Sequence, residues 1–318
     1  MSMELPLIDV AGFRDARWHA ELAEACADWG CFQIVNHGIE QALMEQTLTG
    51  MRQFFALPHE QKLAIERTAD NAWGFFDREL TKNVRDWKEI FDFGPDSDPG
   101  AGDSASRRWP RARAQWPAGL PEFRQTMEAF FHAAENVAAA LLRGISSTLG
   151  MAPEYLAAGF GRGHSSFLRL NHYPICEAPD EHLGISHHTD AGALTVLLAD
   201  DQPGLQFLQR GEWRTVTPNP EALTINIGDI VQVWSNDRYL APLHRVLANA
   251  SQPRYSAPFF YNPGYDTDYA PLAGVLTQTS PARYRTINWG EFRAGRAAGD
   301  YADQGEEIQI SRFRIEPA

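Results

Sequence analysis

Cysteine is scarce: Cys26, Cys31 and Cys176 are the only three in 318 residues, they cannot all pair, and none stands in a Cys-x-x-Cys spacing. That excludes a disulfide framework and points to a reducing, cytoplasmic setting. Long apolar runs are also missing. Nothing approaches the roughly 18 uncharged apolar residues of a membrane span, and Met1-Ser2-Met3-Glu4-Leu5-Pro6 has no basic region leading into an apolar one. Neither a membrane segment nor a secretory leader is expected. Positive charge is in deficit, with 28 Lys and Arg against 41 Asp and Glu for a net charge of −13. A nucleic-acid surface needs clustered basic residues, so that partner class is excluded. No internal repeat and no low-complexity tract is present.

What is present is a chain with 44% hydrophobic residues, ample for a packed core in one large unit or two. Helical periodicity runs over Asp15 to Trp29, over Glu40 to Phe55, and over about 121–149, where Pro121 suits a first turn. In the last of these, Phe123, Met127, Phe130, Phe131, Leu141 and Ile145 make a broad apolar stripe. Phe93 to Ser104, rich in Gly, Pro and Asp, reads as a mobile loop. Beyond Ser165 the pattern changes to short runs at 166–173, 193–199, 204–208, 213–216, 223–227, 230–234, 243–248 and 255–261. Closely spaced strands of this kind predict a sandwich or jelly roll rather than a parallel α/β sheet.

Chemistry concentrates in Gly184-Ile185-Ser186-His187-His188-Thr189-Asp190. On a strand, side chains two apart share a face, so His188 and Asp190 converge while His187 and Thr189 point away. A register slip of one residue would exchange His187 for His188. A third imidazole, His244, lies in the apolar run Leu243-His244-Arg245-Val246-Leu247 after a gap wide enough for several strands. Two His and one carboxylate on one face of an octahedron leave positions open, as non-haem Fe(II) oxygenases require and closed zinc sites do not. A His-x-Asp pair alone is commonplace on surfaces, and the company it keeps carries the reading. Arg254 and Ser256 share a strand face further on, a guanidinium fork and a hydroxyl suited to a carboxylate. The plainer reading of Arg254 is a strand-end arginine paired with an acidic neighbour. Upstream, Arg169, Asn171 and Tyr173 share one face of an alternating strand, which in a plain amphipathic strand would face water.

Together, Gly184-x-x-x-His188-Thr189-Asp190-x-Gly192, Asn226-Ile227-Gly228-Asp229, His244-Arg245-Val246 and Arg254-x-Ser256-x-x-Phe259-Phe260 resemble the iron- and 2-oxoglutarate-dependent oxygenases of the isopenicillin-N-synthase-like family. Likeness extends to Trp29-Gly30-Cys31-Phe32, Phe54-Phe55-Ala56-Leu57-Pro58 and Trp289-Gly290-Glu291-Phe292, nearly the whole chain. The departures, Ser235-Asn236-Asp237-Arg238, Ala241-Pro242-Leu243 and a missing second proline after Pro174-Ile175, touch no ligand position. The resemblance implies an α+β chain with a mainly β core, a double-stranded β-helix or jelly roll flanked by helices. It implies Fe(II) on His188, Asp190 and His244, and 2-oxoglutarate on Arg254 and Ser256 with Tyr173 and Asn171 beside them.

On that reading the chain is one catalytic unit over 1–318, with a helical, lid-like N-terminal portion (1–120), the jelly-roll core (160–265) and a C-terminal extension (266–318). O2 oxidises a small-molecule substrate by hydroxylation, desaturation or a related step, giving succinate and CO2, and ascorbate has a place as iron reductant. No membrane or nucleic-acid partner is called for, and a monomer suffices. Phe75, Arg78, Arg85, Phe91 and Phe93 are the substrate-pocket candidates, although such aromatics more often belong to a core and such arginines to the solvent. Two alternatives stand beside this one, an oxidative cyclase of the same family that does without 2-oxoglutarate and a non-catalytic barrel that binds a metal and a small acid.

Overall fold

A computed structural model describes residues 4–68, 70–81, 84–96, 112–161, 163–301 and 308–316, the side chains of 12 and 297–301 excepted. The expected mobile loop falls outside these residues from 97 onward. The strands are β1 (Leu7–Asp9), β2 (Cys31–Val35), β3 (Gly74–Phe76), β4 (Leu80–Thr81), β5 (Val84–Arg85), β6 (Glu89–Phe93), β7 (Phe167–Tyr173) and β8 (Leu183–His188). They continue as β9 (Leu194–Ala199), β10 (Leu205–Gln209), β11 (Glu212–Thr215), β12 (Leu223–Ile227), β13 (His244–Leu247), β14 (Arg254–Tyr261), β15 (Asp268–Tyr269) and β16 (Ile287–Asn288). The helices are α1 (His19–Asp28), α2 (Gln41–Phe55), α3 (His59–Leu63), α4 (Pro121–Thr148), α5 (Asp229–Trp234) and α6 (Trp289–Tyr301).

Eight strands form one sheet in the order β1-β2-β12-β9-β14-β7-β6-β3, and β11-β10-β13-β8 form a second. A small apolar cluster of Cys31, Tyr173, Leu197, Leu205, Phe207, Val216 and Val246 joins the two, drawing residues from both sheets. The larger core lies on the other side of the big sheet, where α4 packs over β9 and β14 while α1 and α2 pack on α4. Covered on both faces, β9 and β12 are apolar nearly throughout, Leu-Thr-Val-Leu-Leu-Ala and Leu-Thr-Ile-Asn-Ile. The sheets make the expected jelly roll without closing into a barrel.

Three expectations need correction. Residues 230–234 are the helix α5 and not a strand. Ile230, Val231, Val233 and Trp234 are all buried, so neither period of the apolar pattern could be told apart. Strand β8, expected to carry both His188 and Asp190, stops at His188. The N-terminal portion is not only helical, since β1 and β2 extend one edge of the big sheet and β6 and β3 the other.

The aromatic packing places Phe75, Phe91 and Phe93 in the core between sheet and helices. Phe91 lies 4.9 Å from Phe54 of α2 and 5.8 Å from Phe123 of α4, and Phe93 lies 6.0 Å from Phe131. Strand parity sends Phe91 and Phe93 to this helix face and sends Asp92 to the opposite one, where it meets Arg169.

Helix α5 is pinned beneath the turn after β8 by Asp229 N–H donating to Asp190 O at 2.8 Å and Ile230 N–H to Gly192 O at 3.1 Å. A Cβ on Gly228 would stand 2.1 Å from Gly192 O. Gly228→Ala should therefore lower stability by about 1–3 kcal/mol, read as a fall in the urea midpoint. An unchanged midpoint would show that the turn gives way freely.

Candidate metal and cosubstrate site

Two strands of the smaller sheet carry the imidazoles. β13 pairs antiparallel with β8, and His244 stands directly opposite His188. Their rings lie 4.3 Å apart, and each Nε2 approaches Asp190 Oδ1, at 3.8 Å from His188 and 3.7 Å from His244. One ligand atom from each of the three residues lies within 4.8 Å of the others. The surroundings orient these atoms. His188 Nδ1 faces Ser186 O at 2.8 Å and His244 Nδ1 faces Pro242 O at 3.1 Å. A carbonyl only accepts, so both Nδ1 atoms carry the proton and both Nε2 lone pairs point at the shared space. Asp190 Oδ2 accepts from Thr195 Oγ1 at 2.7 Å and Asn226 Nδ2 at 3.1 Å, which leaves Oδ1 for the same space. Two neutral imidazoles and a carboxylate with an open side fit a divalent cation that keeps free positions.

The reason for convergence differs in part from the parity argument. β8 stops at His188, and Asp190 reaches the site through the turn that α5 holds. Thr189, expected to point away, borders the same cavity, and its carbonyl accepts from Arg296 Nη2 at 2.6 Å. His187 is exposed, as parity expects.

Arg254, Ser256, Tyr173 and Asn171 border this cavity too. β14 and β7 place Arg254 opposite Tyr173 and Ser256 opposite Asn171. Arg254 is 3% exposed, with its Nε donating to Gln202 O at 3.3 Å and its guanidinium over the Tyr173 ring at 5.2 Å. Its Nη1 is buried without a hydrogen-bond partner, as is Asn171 Oδ1, while Asn171 Nδ2 donates to Ser256 Oγ at 3.3 Å. Buried polar groups left this way cost about 1–3 kcal/mol each, and grouped at one cavity they mark where a polar ligand is completed.

The cavity, of about 150 Å³, is bordered by none of the five substrate candidates. Phe75, Phe91 and Phe93 are core residues, Arg85 is exposed, and Arg78 is an exposed partner of Glu66 and Asp77. In their place the N-terminal portion supplies Glu79, Leu80, Thr81 and Lys88, and α6 supplies Trp289, Arg293 and Arg296. Sequence reasoning missed these, along with Thr195 and Asn226. Asn226 and Trp289 stood in motifs already quoted without a role, and the same-face spacing of Asp86 and Lys88 was a weaker signal that a surface strand would show equally.

The non-haem dioxygenase N-terminal family model, described for morphine synthesis, matches residues 5–119, and the 2OG-Fe(II) oxygenase superfamily model matches 164–263. Jasmonate-induced oxygenase 4 of Arabidopsis thaliana is 33% identical over 306 residues, 92% of this chain and 82% of the relative. This chain belongs to the 2OG-Fe(II) oxygenase superfamily. Gibberellin 2-beta-dioxygenase 6 of Oryza sativa subsp. japonica is 34% identical over 98% of the chain and 86% of its own length. Among solved structures, JOX2 in complex with 2OG, Fe and JA superposes with TM-score 0.79 at 31% identity, covering 92% of this chain and 84% of that one. The dioxygenase for auxin oxidation in rice gives 0.76 at 26% identity, covering 98% and 100%. The chain is thus a superfamily oxygenase, an enzyme of the Fe(II)- and 2-oxoglutarate-using class.

Two outcomes follow from this geometry. His188→Ala should abolish iron retention while His187→Ala keeps it, measured as metal bound after anaerobic gel filtration, and the reverse would overturn the facing of β8. Burial, reinforced by His244, pushes the His188 imidazole well below its usual 6.5. As pH drops below 6.5 the unfolded chain takes up a proton that the folded one refuses, so this contribution to stability is complete above 6.5 and lost on acidification. The urea midpoint of metal-free protein should fall with pH in that range, and His188→Asn should flatten the slope.

Proposed function

We propose that His188, Asp190 and His244 hold Fe(II), that Arg254 and Ser256 with Tyr173 and Asn171 hold 2-oxoglutarate, and that the enzyme oxidises a small molecule. The observation that carries this is the single cavity that both sets border, where buried atoms of Arg254 and Asn171 lack hydrogen-bond partners. Bound there, Fe(II) and 2-oxoglutarate supply O2 activation for C–H oxidation, with succinate and CO2 as co-products. The protein's part is restraint and orientation. Ser186 O and Pro242 O fix the imidazole tautomers, Thr195 and Asn226 hold the carboxylate, and Arg254 offers its fork from a dry wall of Leu197, Leu205 and Val246.

The whole chain acts as one catalytic unit on this reading, because the jelly-roll cavity takes part of its wall from each terminal portion. The substrate enters against those walls. Three free, buried thiols suit a cytoplasmic enzyme, and no helix among the described residues is long and apolar enough to cross a membrane.

Protein loaded anaerobically with Fe(II) should develop a 2-oxoglutarate-dependent charge-transfer absorption, and should release succinate slowly once O2 is admitted. Arg254→Lys keeps the charge but loses the fork. It should weaken 2-oxoglutarate about tenfold to a hundredfold, the equivalent of one charged hydrogen bond, with iron affinity unchanged. Equal loss of both ligands would show that Arg254 has another role, and a wild type that makes no succinate would favour the cyclase-like alternative.

A further inference from the structure

On the cavity wall built by the N-terminal portion stands a lysine that the iron and 2-oxoglutarate sites do not use. The Lys88 side chain is 1% exposed, yet it borders the cavity. Its position is tightly held, since the neighbouring Trp87 N–H donates to Leu183 O at 2.9 Å and Asp86 Oδ1 accepts from Ser186 N–H at 3.2 Å, both on β8. That places Lys88 beside the strand that ends in His188, within electrostatic reach of both His188 and Tyr173.

The ammonium is charged but not saturated. Nζ lies 2.8 Å from Glu79 Oε2 and 3.0 Å from Asp86 Oδ2, which keep it protonated against the pull of burial. These two carboxylates account for two of its N–H donors, and no third acceptor stands beside Nζ among the described residues. An ammonium has three donors, so one N–H is left for an acceptor in the cavity.

Charge decides what kind of acceptor. Around the lysine, Arg169 pairs with Glu79 and Asp92 at 2.8 Å each, and Arg67 lies 3.5 Å from Asp92 and 3.7 Å from Glu79. Arg67, Lys88 and Arg169 thus meet Glu79, Asp86 and Asp92, three cations against three carboxylates. An anionic ligand group at Nζ would bring a further negative charge beside Glu79 and Asp86 in a poorly screened interior. A carbonyl or hydroxyl oxygen supplies the missing acceptor without that cost. Leu80, Ile185, Phe167 and Phe260, the last two stacked at 4.7 Å, give the same cavity apolar surface for the rest of the molecule.

We propose that Lys88 is a specificity-determining residue that donates to a carbonyl or hydroxyl oxygen of an uncharged, largely apolar primary substrate. This rests on the iron and 2-oxoglutarate reading above. It selects neutral oxygen acceptors over carboxylates, hydrocarbons and amines.

Three ring-sized probes test it: acetophenone, benzoate and ethylbenzene. Their dissociation constants are measured by ligand-observed NMR on protein loaded with Fe(II) and 2-oxoglutarate under anaerobic conditions, with the charge-transfer absorption followed in the same samples. Acetophenone should bind at least tenfold more tightly than either other probe. Lys88→Met should erase its advantage over ethylbenzene, while Lys88→Arg, which keeps charge and donors, should retain it. Lys88→Met leaves two buried carboxylates unpaired, so if it does not fold the wild-type ranking and Lys88→Arg decide. Benzoate binding tightest, three equal affinities, or no measurable binding of any probe would overturn the inference. A missing absorption would overturn the cosubstrate reading instead, and the NMR ranking would still judge Lys88.

Discussion

One cross-strand pairing holds this site together: His244 opposite His188 on the two strands of the smaller sheet. Everything else at the candidate metal site adjusts to it. The two backbone carbonyls that fix the tautomers come from residues two positions before each histidine, Ser186 within β8 and Pro242 in the segment leading into β13. Asp190 is the exception, since it lies past the end of β8 and needs α5, Thr195 and Asn226 to bring it into place. Its carboxylate is buried. Burial raises its proton affinity, and His244, His188 and the two hydrogen bonds more than offset that, holding it below the ordinary carboxylate range.

A second assembly, of buried ion pairs and hydrogen bonds, attaches the N-terminal portion to the core. Glu79, Asp86, Lys88, Asp92 and Arg169 are all buried. An isolated member of this group would be far too costly in a poorly hydrated interior, and removal of any one leaves a partner uncompensated. Glu79 shows the balance: burial opposes its charge, and Arg169, Lys88 and Arg67 hold its carboxyl well below the usual range. Such a network adds little net stability compared with apolar packing, but it admits one arrangement of strands. That explains how a cavity wall can be built by strands as short as β4.

Much of the fold was readable along the chain because it rests on local periodicity. The stripe on α4 and the Pro at its start bound it within a residue or two, and the apolar runs of β7, β9, β12 and β14 stand where the pattern put them. Period failed at α5, where burial on all sides removes the contrast on which it depends. The aromatic substrate candidates lie away from the cavity for a related reason. Phe75, Phe91 and Phe93 were read by residue type, while strand parity and the position of α4 decide which face of the sheet is core and which is cavity.

The sequence by itself determined the types and order of the candidate metal-binding side chains and which of His187 and His188 faces the site, because these follow from side-chain chemistry and a period of two. Only the tertiary structure decided which donors complete the wall. Lys88 and Glu79 become cavity residues through pairing with partners far along the chain, at Ser186 and Arg169. No local pattern encodes a contact of that range. The cost of burying a charge selects it, and that cost exists only once the chain has folded around the site.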